Sequence, residues 1–311
     1  MDYFLPRTDF KITPIPLRRL IFLACLILAS ASAFAEKKII IVSPASSNYS
    51  QSLVQNILTN LEATDIKADV FNIDQQVNIS TNYNLIVSIG KETTSLSDIK
   101  DLSIPKLRVV SKIDSNKKTN RINETYLSMT QPVCKQFTLI RSLNSDWKTV
   151  SILLGKPNTP ETKKLETCAA QYNLTLKTIL ISQYVNIIDA LNSSLSNSDV
   201  LLALPDPSIY NAKTVKSILL TTYRHRIPVI GFSEGFVHAG ALTAIHSSTE
   251  QLGKQITELI IKHYENEKTN KHHLYPKYFD IAINKDVAKS LGITIPDRKV
   301  LIEKLKNHNH E

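Results

Sequence analysis

What most constrains this chain is an alternation: short apolar runs of strand length keep giving way to stretches with helical periodicity. Lys38-Ile-Ile-Ile-Val-Ser43 is a continuous apolar run, as in a strand buried on both faces. Behind it, Leu53, Val54, Ile57, Leu58 and Leu61 recur at helical spacing within 49–63. Strands follow at 67–73, 84–90 and 107–111, with a short helix from Glu92 and a polar loop or crossover over 112–124. A second series then runs helix 131–143, strand 148–154, helix 160–172, strand 174–181, helix 185–195, strand 199–204, helix 214–223 and strand 227–231. Pro160 opens its helix, where a missing N–H costs nothing. Strands alternating with helices predict parallel sheets covered on both faces, an α/β architecture. Two such series predict two lobes.

The remaining residues do not begin a third lobe. Leu252, Ile256, Leu259 and Ile260 form one apolar helical face, Phe279–Asn284 reads as a strand, and Asp286–Leu291 as a short helix closed by Gly292. These elements are expected to return and pad both lobes. The expected division is 36–125 with about 243–272 as lobe 1, and 126–242 with about 276–311 as lobe 2. Several crossings between two lobes make a hinge over a cleft.

Residues 1–35 read as a secretory leader. Arg7, Lys11, Arg18 and Arg19 precede an apolar run from Leu20 to Leu28, and Ala33-Phe34-Ala35 fits small-x-small cleavage. The run is short for a membrane span of roughly 20 residues, and Cys25 sits in a poor lipobox. Cleavage after Ala35 would send the mature chain to the periplasm. The leader holds four basic and two acidic residues, so its removal lowers the net charge from +9 to +7. The lysines are scattered and form no basic stripe with interleaved aromatics, which argues against nucleic acid as a partner. Two cysteines remain, Cys134 and Cys168. An oxidising compartment permits a disulfide between them; two buried free thiols are the alternative.

The chain has seven glycines, and four of them, Gly231, Gly235, Gly240 and Gly253, fall close together after the strand ending at Gly231. Such clustering marks a sharp turn or a close approach of backbone to something else, and in open α/β sheets ligands bind beyond the carboxyl ends of strands. Phosphate-cradling glycine loops are absent. Gly231-Phe232-Ser233-Glu234-Gly235 satisfies the bare Gly-x-Ser-x-Gly pattern, with His238 and His246 after it, so a serine hydrolase is one reading. The segment after Ser233 is too interrupted for the long helix that seats such a nucleophile. There is no zinc-like Cys/His set; His308 and His310 near the end read as a frayed polar terminus rather than a metal site. No cofactor is implied.

What remains is loop chemistry suited to a small polar solute. The candidate binding residues are Ser46 and Ser47 after the first strand, Gly90, Thr93 and Thr94 after the third, and Asn158, Thr159, Asp206, Ser208, Ser233, Glu234 and Phe236 at strand ends of lobe 2. Helix N-termini there offer free N–H groups to an anion, and Asp206 or Glu234 suits an ammonium group. For each Ser, Thr or Asp taken singly, helix capping is the competing role.

Four blocks carry a family resemblance: Ser198–Pro207 (Ser-Asp-Val-Leu-Leu-Ala-Leu-Pro-Asp-Pro), Leu219–Arg224, Pro228–Ser233 and Val237–Ala241. With Ile281-Ala-Ile-Asn284, Val287–Gly292 and Ile295-Pro296, they resemble the ABC-transporter substrate-binding proteins. The branch is that of the type I periplasmic-binding fold which includes tryptophan and other aromatic amino-acid binders. The likeness is strong over about 130–300 and weaker over 36–125. It implies two Rossmann-like lobes on a hinge, a monomer that captures a small-molecule solute without bond chemistry, and an ABC permease or other membrane partner. This sequence departs from the pattern at Val110-Ser-Lys-Ile-Asp114, at Lys91-Glu92, and in lacking an acidic residue before Asn158-Thr159. The ligand therefore does not carry over, and a stand-alone form without a dedicated permease stays open. An extracytoplasmic accessory or sensor protein contacting a membrane partner is the alternative function.

Overall fold

The computed structural model describes residues 36–45, 47–73, 82–90, 93, 103–111, 123–156, 160–265 and 272–307. The leader, Ser46, Thr94, Asn158, Thr159, His308 and His310 lie outside them.

Lys37–Glu311 forms a compact unit built on two six-stranded sheets. The first sheet takes β1 (Lys38–Ser43), β2 (Lys67–Asn72), β3 (Leu85–Ile89), β4 (Lys106–Val110), β5 (Glu124–Ser128) and β11 (His273–Leu274), ordered β11-β5-β4-β3-β1-β2. Every pairing in it is parallel. The second takes β6 (Thr149–Leu154), β7 (Thr175–Leu180), β8 (Val200–Leu202), β9 (Val229–Gly231), β10 (Thr243–His246) and β12 (Asp280–Ile283), ordered β12-β10-β9-β8-β6-β7. Only β12 runs antiparallel, against β10.

The helices are α1 (Asn48–Leu61), α2 (Val133–Leu143), α3 (Pro160–Gln171), α4 (Ile187–Ser194), α5 (Val215–Arg224), α6 (Glu234–His238), α7 (Thr249–Tyr264), α8 (Lys285–Leu291) and α9 (Arg298–Lys306). The alternation in sequence becomes layering in space because parallel strands need a crossover; among the described residues, helices cover both faces of the second sheet and one face of the first. In lobe 1, Ile39, Ile41, Val87 and Val109 pack against Leu53 and Ile57 of α1 and Leu252, Ile256 and Ile260 of α7. In lobe 2, Val150, Ile152, Leu202 and Ile230 meet α2, α3 and α9 through Phe137, Leu165 and Leu301. The opposite face meets α4, α5 and α6 through Leu191, Ile218 and Phe236. The C-terminal elements thus pad both lobes: α7 and β11 belong to lobe 1, while β12, α8 and α9 belong to lobe 2.

The sheets divide the chain at slightly different points from the pattern. β5 lies inside the sequence assigned to the first crossover and the start of lobe 2, yet it joins the first sheet. Its sequence, Glu-Thr-Tyr-Leu-Ser, has too few aliphatics to show as a run. β10, at 243–246, joins the second sheet, so the crossing back to lobe 1 comes after His246 rather than at 243.

One polar pair sits deep in lobe 1. Arg108 Nη2 lies 2.9 Å from Glu124 Oε1, and both residues are almost wholly buried. Tyr126 donates to Glu124 Oε2 at 2.8 Å. Among the described residues Arg108 Nε and Nη1 have no hydrogen-bond partner, nor does Ser88 Oγ, which shares the row Ser88↔Arg108↔Tyr126 across three strands.

Candidate functional site

The alternation that builds each sheet also aims the loops. All strands of the second sheet except β12 point their carboxyl ends the same way, so the segments after β6, β8 and β9 gather at one edge. There a cavity of about 260 Å³ opens between that edge and the connections to lobe 1. Leu153 and Leu154 of β6, Leu165 of α3, Phe232 and Ile245 supply an apolar wall. Ala203-Leu204-Pro205-Asp206 follows β8 along one side. Val133 and Gln136 come from α2, Thr162 and Lys164 from α3. Lobe 1 and the connecting segments give Ser111, Ser128, Thr130, Gln131, His273 and Tyr275. An apolar wall with a few convergent polar groups suits a small molecule.

Asp206 is the carboxylate of this wall. Its Oδ1 accepts from Ser208 N at 2.9 Å and from Ser208 Oγ at 2.6 Å, an Asx turn that fixes the side chain. Gly155 stands opposite: a Cβ there would lie 3.6 Å from Asp206 Oδ2 and 3.4 Å from Ser208 Oγ. Lys164 supplies the opposite charge, and its Nζ lies 5.6 Å from the Tyr275 ring centroid. Burial, with His272 close by, pushes the His273 imidazole below its ordinary pKa. Phe232 is held by Tyr210 and Phe236, with centroids 5.9 Å and 5.0 Å away. Tyr210 is buried, and among the described residues its hydroxyl has no hydrogen-bond partner; burial, with Asp206 adding to it, drives the phenol's pKa upward. Among the described residues Gln136 Oε1 in the cavity wall also lacks a hydrogen-bond partner.

Two helices of this wall are covalently joined. Cys134 of α2 and Cys168 of α3 form a disulfide, spanning 34 positions of sequence. Arg141 reinforces the pair beyond it, donating to the carbonyls of Tyr172 and Asn173 and to those of Ser145 and Trp147.

Of the residues proposed from sequence, Asp206 lines the cavity, and Ser208 supports it from outside the lining. Ser47 is the N-cap of α1, accepting from Ser50 N. Ser233 is the N-cap of α6, accepting from Phe236 N. Gly90 follows β3 with φ 92°, a conformation that suits glycine. Thr93 is buried and donates to the carbonyls of Ile89 and Gly90. Glu234 is exposed and lies 3.8 Å from His238, while Phe236 is a core side chain behind Phe232. Ser233 has no histidine partner among the described residues, and α6 is only five residues long, so the pattern Gly231–Gly235 is a capped turn rather than a nucleophile elbow.

Two of the four clustered glycines serve packing. A Cβ on Gly231 would stand 2.8 Å from Phe236 Cδ1, and one on Gly253 2.8 Å from Asn56 Cβ, where α7 crosses α1. Sequence reasoning missed Gln131, Gln136, Lys164, His273 and Tyr275. They lie on connections, on helix sides and, for His273, at the start of β11, and the rule of looking past strand ends does not reach them.

Two lobes with parallel-dominated sheets, several connections and a cavity between them define the type I periplasmic-binding-protein architecture. The chain belongs to the family described as ABC transporter substrate binding protein, whose sequence model matches residues 53–306. No curated protein matches it in sequence. Solved structures share the fold. A conserved domain protein from Vibrio cholerae is 21% identical with TM-score 0.61, covering 86% of this chain and 98% of that one. The ABC domain in complex with L-Trp from Streptococcus pneumonia is 18% identical with TM-score 0.60, covering 86% and 98%. The ligand-free, open structure of CD0873 from Clostridium difficile, a substrate binding protein with adhesive properties, is 21% identical with TM-score 0.65, covering 85% and 97%. Among the described residues no helix is long and apolar enough to cross a membrane.

Proposed function

We propose that this protein is the periplasmic solute-binding component of an ABC-type uptake system. It acts as a monomer, captures a small polar solute between its lobes without altering it, and delivers it to a membrane-embedded permease. The observation that carries the reading is the cavity of about 260 Å³ at the carboxyl edge of the second sheet, closed on its far side by lobe 1 and the connections. Its lining pairs an apolar wall with Asp206 and Lys164, charges of opposite sign. Such a lining suits a solute with an apolar body and at least one charged or hydrogen-bonding group. The complex of one structural neighbour with L-Trp puts aromatic amino acids first among the probes.

The test is mass spectrometry of solute carried through native purification, followed by thermal melts with amino acids, purines, sugars and metal ions. A true ligand at about 100 times its Kd stabilises the fold by roughly 2.7 kcal/mol, and Asp206→Asn should weaken that shift while leaving the ligand-free melt near its original position. A panel with no stabilising compound would defeat the proposal. Export is tested separately: the mature N-terminus in a periplasmic fraction should be Glu36, the residue after Ala33-Phe34-Ala35.

A further inference from the structure

One buried side chain touches all three connections between the lobes. The chain passes between sheets through 129–132 after β5, 247–248 after β10, and 275–279 after β11. Gln131 sits in the first of these. Its Nε2 donates to Ser247 Oγ in the second at 2.9 Å and to Pro276 O in the third at 3.2 Å. Ser247 Oγ in turn donates to Tyr278 O at 2.7 Å, closing the triangle. Lys135 Nζ, at the start of α2, donates to Gln131 Oε1 at 2.9 Å. A glutamine amide has two donors and one acceptor oxygen; here both donors and the oxygen are engaged. Gln131 is only 5% exposed and also lines the cavity.

We infer that Gln131 is the positioning residue that couples the cleft to the hinge: its carboxamide ties the three connections into one unit and thereby sets how far the lobes rotate apart. This rests on the reading of the inter-lobe cavity as the working cleft. Three independent strands of backbone would each bend at their own torsions. Tied through one amide, they bend together, because separating any pair leaves a buried donor or carbonyl unpaired. A solute that presses on Gln131 from the cavity therefore acts on all three connections at once. Asparagine is one methylene shorter and does not span from the first connection to Pro276 O.

The test measures lobe separation in ligand-free protein by paired spin labels at Gln55→Cys on α1 and Lys216→Cys on α5, both exposed, with the native disulfide left oxidised. The parent should show one dominant distance. Gln131→Ala and the nearly isosteric Gln131→Glu should each raise a wider-distance population by roughly tenfold, the effect of one or two lost hydrogen bonds. Ser151→Ala, which removes the buried Ser151–Ser198 hydroxyl contact within lobe 2, is the control: it should lower the melting temperature without moving the distances. If both Gln131 variants keep the parent distribution while melting lower, as the control does, Gln131 is a structural polar group and the inference fails. No solute is added, so a failed solute screen and a failed distance measurement are separate results.

Discussion

Reducing the Cys134–Cys168 bond should destabilise lobe 2 and loosen one wall of the cleft. The bond closes a stretch of 34 sequence positions, and removing such a constraint from the unfolded chain costs about 4 kcal/mol of stability. Cys168 is 2% exposed within the cluster holding Phe137, Leu165 and Trp147, whereas Cys134 is only partly buried. Trp147 is the single tryptophan of the chain and lies in that same cluster, so its fluorescence reports the lobe that carries the bond. Urea unfolding of the oxidised protein and of protein reduced while unfolded and then refolded isolates the cross-link, with no side chain truncated. At a slope of about 2.5 kcal/mol per molar urea, the midpoint should fall by roughly 1.5 M. Replacing both cysteines by alanine should cost about 1 kcal/mol more, from the atoms lost at the Cys168 site. Gln136 lies two residues beyond Cys134 and Leu165 three before Cys168, and both line the cavity. Amide exchange in α2 and α3 should therefore quicken on reduction while α1 and α7 stay unchanged. A reduced protein unfolding within about 1 kcal/mol of the oxidised form would refute the argument, because the unfolded chain would then gain nothing from being cut free.

Three further outcomes follow from particular contacts. Glu124→Gln should cost about 3 kcal/mol or more by circular-dichroism melts, because it leaves the Arg108 cation buried without its counter-charge, while Arg108→Met combined with Glu124→Gln should recover most of the loss. Burial holds the Lys135 ammonium down at about 8, so between about pH 8 and the ordinary lysine range the unfolded chain keeps a proton that the folded chain has released. Stability should therefore gain a rising increment with pH across that window, and Lys135→Met should abolish it; identical pH profiles for the two proteins would count against the assignment. Gly253→Ala would ordinarily favour a helix by up to about 1 kcal/mol. Here the added Cβ meets Asn56 Cβ at 2.8 Å and the α1 backbone at 3.4 Å, so a net loss of about 1–2 kcal/mol is expected, and a stabilised variant would show that α1 gives way freely.

The sequence by itself determined the layering. Ile39-Ile40-Ile41-Val42 is apolar on both alternating faces, and a strand of that kind is stable only with cover on each side. The spacing of Leu53, Val54, Ile57 and Leu61 supplies one covering face. These are local patterns, so two lobes, parallel sheets and returning C-terminal elements were legible without coordinates. β5 escaped because Glu124-Thr-Tyr-Leu-Ser128 carries polar side chains inward, where Glu124 pairs with Arg108 on the neighbouring strand and accepts from Tyr126 on its own. The lining of the cavity was legible in part. Asp206 could be picked out at a strand end, but Ser47 and Ser233 at similar ends cap helices, and sequence alone does not separate a cap from a ligand contact. Gln131, Gln136, Lys164 and Tyr275 come together from residues up to 144 positions apart (131 to 275), on a connection, two helix sides and the last crossing. Tertiary structure alone decided that meeting, since which polar groups converge depends on how two independently patterned lobes are tied together, and that is set by long-range hydrogen bonds and packing with no periodic trace in the chain.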